Sequence, residues 1–171
     1  VLEFNEIDRG APTYAGSEGD VAYAMLDWYR ATLLTKCAGL GDVQLRQRAV
    51  APSSLSLLGL LRHMSDVERF WFGWFDGNKP VARFSSDERP DDDFDDLEGE
   101  SVQNVLTEYR DACRESRAIC ARHSLDEQRR NEVRGRDYSF RYVIVHMIEE
   151  YARHCGHADL LREVIDGTTG Q

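Results

Sequence analysis

The sequence predicts an all-α protein, a four-helix bundle with a long crossover between its second and third helices. Three observations predict it. Four segments of about 20 to 27 residues carry apolar side chains at helical spacing. Their ends fall on residues suited to helix caps. One connection, residues 77–100, is long enough to run the length of a helix, because 24 residues reach ~80 Å at full extension. The two middle helices are therefore free to lie parallel.

Residues 1–17 are polar, contain Pro12 and two glycines, and read as an irregular N-terminal arm. The first helix runs from Ser17 or Glu18 to Cys37, with Val21, Met25, Trp28 and Leu33 near one side and Gly39 as C-terminal punctuation. GDVQLRQR has room for one or two turns. Pro52-Ser53-Ser54 opens the second helix, with a serine as N-cap, and the helix runs to about Phe75 before Gly77-Asn78-Lys79-Pro80. Residues 77–100 hold Pro80, Pro90, Gly99 and an acidic run, and read as a solvated crossover with a short extended piece at VARF. The third helix covers Ser101 to about His123, with Val102, Val105, Leu106, Tyr109, Cys113, Ala118 and Cys120 as its apolar points. An arginine-rich stretch with room for a hairpin follows. Ser139 caps the fourth helix, which ends near Asp166-Gly167. With no internal repeat, residues 1–171 read as a single domain.

Composition narrows the function. No run of about 18 apolar residues exists, which excludes a membrane-spanning helix by sequence. Acids in VLEFNEIDRGAPTY occupy the place where a signal peptide needs basic residues, so the expected location is cytoplasmic. The net charge of −10 argues against nucleic-acid binding. Its distribution is uneven: Asp87–Glu100 carries nine acids and one arginine, whereas the other 157 residues hold 22 acids and 20 bases. Four cysteines without a C-x-x-C pair read as free thiols.

The fourth helix carries the chemistry. Projected at about 100° per residue, Val143, Met147, Ala158 and Leu161 lie within about 40° of His154, which is thus central to the core-facing stripe. Glu150 and His157 share that face, Glu149 points away, and His146 lies on the flank. On the second helix His63 is embedded among Ser56, Gly59, Leu60, Val67, Phe70 and Trp74. Asp66 sits at the edge of that stripe, placed to accept a hydrogen bond from His63. Both histidines are near mid-helix, so they can meet at one level of a bundle.

Two histidines and a carboxylate converging in a bundle interior form a metal-site constellation, with Glu150 and His154 at i,i+4 spacing. The reading is His63, Glu150 and His154 as ligands and His157 as a fourth ligand or a neighbour that orients them. His146 and Asp66 are polar supports, and Arg30 stands at the rim. Each residue alone also fits a plain structural role: His63 as a satisfied core group, the His154–His157 pair as a polar seam, Glu150 as a buried partner of Arg30. His123 reads as solvent-facing, and Cys155, about 100° from His154, is no co-ligand. The run Asp91–Asp96 lacks the glycine and distal glutamate of an EF-hand loop and reads as a solvated loop with Phe94 tucked down. No glycine-rich phosphate loop, G-x-S-x-G elbow or dinucleotide fingerprint is present.

The segments WYRATLLTKCAGL, APSSLSLLGLLRHMSDVERFWF and VIVHMIEEYARHCGHADLLREVIDG resemble the DinB-like superfamily. The resemblance covers most of residues 20–167 and touches an actinobacterial-looking branch. It implies an up-down-down-up four-helix bundle, and a divalent metal held by a histidine matching His63 and a final-helix pair whose second member matches His154. Glu150 stands where the first histidine of that pair commonly is, and His157 where glutamine often is. A glutamate there is similar to mycothiol-dependent maleylpyruvate isomerase, whose zinc is held by two histidines and a glutamate. The donor set suits zinc, with iron and nickel as alternatives. Relatives of this kind include S-transferases and isomerases that use mycothiol or bacillithiol. The resemblance therefore implies a metal-dependent thiol S-transferase acting on small electrophiles, and a homodimer. Metal-dependent hydrolysis or a non-catalytic metal-binding bundle remain the alternatives.

Overall fold

The computed structural model describes residues 9–79 and 81–170. Residues 1–8 of the expected arm and Pro80 of the crossover lie outside the described residues. The chain is mostly helical. Helix α1 (Glu18–Cys37) starts at a reciprocal cap, in which Ser17 Oγ accepts from the Asp20 N–H and Asp20 accepts from the Ser17 N–H. A short α2 (Asp42–Arg46) follows, and then α3 (Leu57–Glu68).

Helix α3 begins later than the Pro52-Ser53-Ser54 signal predicts. Residues 50–53 instead make a turn through a cis Ala51–Pro52 bond, closed by the Ser53 N–H on the Val50 carbonyl, and Ser56 is the cap, its Oγ accepting from the Gly59 N–H at 3.0 Å. Past Glu68 the helix widens into a π-helical turn at Arg69–Gly73 before Trp74 and Phe75 complete it.

The crossover departs most from expectation. It contains a helical turn, α4 (Asp92–Asp95), and is strapped to the helices beneath it. Asp66 accepts from the backbone N–H groups of Arg83, Phe84 and Ser85 at 2.6–3.0 Å. Arg62 donates to the carbonyls of Asp92 and Asp96, and Arg46 to those of Leu97 and Glu100. The VARF piece forms no strand, but its Phe84 is buried.

Helix α5 (Val102–Cys120), capped by Ser101, ends before His123. Strands β1 (Gln128–Asn131) and β2 (Arg136–Ser139) then pair antiparallel, so a small hairpin is added to the all-α expectation. Helix α6 (Phe140–Asp166) is capped by Ser139 and closed by Gly167 in the left-handed region at φ 78°. The most extensive packing joins α1 to α6 and α3 to α5, with α3 also meeting α6. Leu33, Leu61, Met64, Phe72, Val105, Val143 and Met147 are buried between them. Among the described residues no helix is long and apolar enough to cross a membrane.

Candidate metal centre

Helices α3 and α6 bring His63, Glu150 and His154 together. One ligand atom from each lies within 4.8 Å of the others. The His63 and His154 rings meet edge to face with centroids 4.9 Å apart, and His154 Nε2 is 3.5 Å from Glu150 Oε2. His154 occupies the inward stripe of α6, while His63 and Glu150 reach the cluster from partly exposed positions at the edges of their helix faces, and Phe70 of the stripe expected around His63 is itself 40 % exposed. His154 is the most enclosed, at 8 % exposure. Burial, reinforced by neighbouring His63, His157 and Arg153, pushes its imidazole down to about 3. The ring is therefore neutral at physiological pH, the state in which it can donate a lone pair.

The other ring nitrogens are occupied. His63 Nδ1 lies 2.7 Å from Asp93 Oδ2, and His154 Nδ1 lies 3.3 Å from His157 Nδ1. Those contacts leave the Nε2 atoms for the shared space. His157 thus sits beside His154 and is absent from the three-residue cluster. His146 is adjacent, its Nε2 3.4 Å from Glu150 Oε1, and its ring packs against Trp71 at 4.5 Å and stacks on Tyr142.

Two expected supports lie elsewhere. Asp66 spends its carboxylate on the crossover backbone, also accepting from the Ser85 hydroxyl, and does not serve His63. Arg30 is 3 % exposed and forks onto Glu68, with two bonds of 2.7 Å. It is neither at a rim nor paired with Glu150. Glu68 satisfies the guanidinium first because α3 presents it directly to α1. His123 is not solvent-facing: it bridges Asp76 and Glu127 at 2.9 Å each and packs on Phe75 and Phe140.

Sequence reasoning missed Asp93, which comes from the acidic run. The available signal was Phe94, an aromatic residue alone among aspartates. Its ring does tuck down, 5.0 Å from that of His63, and carries Asp93 inward with it. A cavity of about 490 Å³ lies away from this cluster, between the π-helical turn and α5, lined by paired charges such as Arg69–Glu108 and Arg122–Asp76.

All four cysteines are free, and burial pushes each thiol up to about 12. None is a ready nucleophile at neutral pH. Cys155 donates toward the Tyr29 carbonyl and takes no part in the cluster.

A mostly helical chain that converges two imidazoles and a carboxylate on one point has the donor set of a divalent-metal protein. The mycothiol-S-transferase family matches residues 22–167, and the chain belongs to that family, within the DinB-like group. No curated protein matches it in sequence. Among solved structures it is similar to a conserved protein from Enterococcus faecalis, at 12 % identity and a TM-score of 0.71, over 90 % of this chain and 100 % of that one. That likeness is one of fold.

Proposed function

We propose that this chain is a metal-dependent thiol S-transferase, in which His63, Glu150 and His154 hold a divalent ion and a mycothiol-type thiol is transferred to a small electrophile. The observation that carries the reading is the convergence of these three donors, with a neutral buried imidazole among them. The set fits such an ion: two nitrogens and one carboxylate oxygen leave further positions open, as zinc requires for catalysis. Zinc is the first assignment, ahead of iron or nickel. Within this reading the chain is one domain, its helices form an up-down-down-up bundle, and it works in the cytoplasm as a homodimer.

A bound divalent ion would supply the positive charge that favours the thiolate form of a thiol at neutral pH. The chain's residues supply the rest. Burial keeps His154 unprotonated, and the Asp93 and His157 contacts fix which nitrogen each ligand ring turns toward the centre. Three of the chain's own thiols are buried and the fourth, Cys120, is partly so, and burial favours the protonated form of each, which supports a separate small molecule as the source of the reactive sulfur.

Metal analysis of the purified protein should find about one divalent ion per chain, lost in His63→Ala and in His154→Ala. Retention in both variants would overturn the ligand assignment. Saturable conjugation of a bimane electrophile should require mycothiol. Turnover without any thiol would transfer the reading to hydrolysis.

A further inference from the structure

We propose that Asp93 is a positioning residue for His63, so that docking of the acidic crossover and metal binding at the centre form one coupled equilibrium. The inference rests on the metal reading above.

The first ground is geometry. Asp93 Oδ2 sits 2.7 Å from His63 Nδ1, and an ionised carboxylate can only accept. A hydrogen on Nδ1 satisfies this contact and leaves the Nε2 lone pair for a ligand bond. Such an outer carboxylate fixes the ring's orientation and raises its basicity toward a metal.

The second ground is cost. Asp93 is 4 % exposed, and its other oxygen, Oδ1, is buried with no hydrogen-bond partner. A half-satisfied buried carboxylate is an expensive way to anchor a connection. The neighbouring Asp87, Glu88, Asp91, Asp95 and Asp96 all stay at the surface. An apolar residue would anchor α4 more cheaply, so the carboxylate is explained by what it does to His63.

The third ground is that the surroundings aim it. Arg62 holds the carbonyls of Asp92 and Asp96 on either side of Asp93, and Arg48 holds that of Phe94. Gly59 lets the segment come close: a Cβ there would meet Phe94 Cδ1 at 2.9 Å and the Asp93 carbonyl oxygen at 3.5 Å. Position, direction and proximity are thus all set by other residues. By linkage, whatever factor the docked crossover adds to metal affinity, the metal adds to the docking of the crossover.

The test compares wild type with Asp93→Ala, Asp93→Asn and Asp87→Ala. Zinc affinity is read by competition with a chromophoric chelator, and amide hydrogen exchange of residues 91–97 is followed with and without zinc. Asp93→Ala should weaken zinc by about 10- to 100-fold and abolish zinc-induced protection of 91–97. Asp93→Asn, which keeps an acceptor oxygen in place, should fall between, and Asp87→Ala should match wild type. Asp93→Ala with wild-type affinity and wild-type protection overturns the inference while leaving the metal reading intact. Wild type that takes up no divalent ion overturns both. Should Asp93→Ala lose its helical circular dichroism, Asp93→Asn decides alone, and unchanged affinity there overturns the proposal.

Discussion

Glu68 lies outside the candidate metal centre, yet four helices meet on its carboxylate. Arg30 of α1 forks onto both oxygens, Tyr151 of α6 donates to Oε1 at 2.8 Å, and Cys113 of α5 approaches the same atom at 3.8 Å. Tyr109 completes the group by donating to the Arg30 carbonyl. Both ions are buried, so their attraction offsets a large desolvation cost and removing one strands the other. Glu68→Ala should lower stability by about 3–5 kcal/mol in urea unfolding, and a double Arg30→Met, Glu68→Leu variant should lose less than that single change. A loss below about 1 kcal/mol for Glu68→Ala would show that the pair is not stranded as argued. The sequence could not reveal this pair. Arg30 lies on the side of the first helix away from Val21 and Trp28, so the expected stripe gave no reason to bury it, and its partner depends on which of several acids the packing of α1 on α3 brings within reach.

Elements divide by whether their signals are local. The starts of α1, α5 and α6 were legible because a serine at each start accepts from the N–H three residues on, and the stripes of α5 and α6 face the core largely as their period predicts. The stripe of α1 was misread: Val21, Met25 and Trp28 are only partly buried, and α1 turns Leu26, Arg30 and Cys37 to the core along with Leu33. The α3 start was misplaced because Ser53, Ser54 and Ser56 all offer a capping hydroxyl, and Ser53 closes the turn at 50–53 while Ser56 caps the helix. The crossover was misread because its aspartates are chemically alike, and docking alone decides which one turns inward. Gly59 makes that docking testable. In an exposed helix, alanine for glycine gains about 1 kcal/mol. Here the added methyl would press on Phe94 and, at 3.1 Å, on the capping Ser56 Oγ. Gly59→Ala should therefore destabilise the protein by about 1–3 kcal/mol and speed exchange at 91–97. A variant as stable as wild type would mean that α4 yields without cost.

On the scale of the whole molecule, the candidate site was more legible than the contacts that support it. His63, Glu150 and His154 could be read from helix faces because inward direction is a local property, while Asp93 and the burial of His123 depend on segments far apart in sequence. His123 shows what such long contacts do for the assembled chain. It ties the end of the α3 helix, through Asp76, to the approach to the hairpin, through Glu127. Burial alone would lower its pKa, but hydrogen bonds and charge from Asp76 and Glu127 together outweigh burial and raise it above the ordinary 6.5. The native state then holds a proton that the unfolded chain releases earlier as pH rises. The stabilisation is fully present below about 6.5 and is lost as pH climbs through the higher native value. Arg122 also donates to Asp76, so that carboxylate keeps a second partner when His123 is replaced. The stability difference between wild type and His123→Gln, measured by urea unfolding at fixed ionic strength, should be largest at mildly acidic pH and shrink toward alkaline pH. Taking the difference cancels the groups that do not touch His123, and leaves its coupling to Asp76 and Glu127. A gap that stayed constant or widened with rising pH would mean that His123 packs as a neutral ring against Phe75 and Phe140, and that its two carboxylates hold it without a charge.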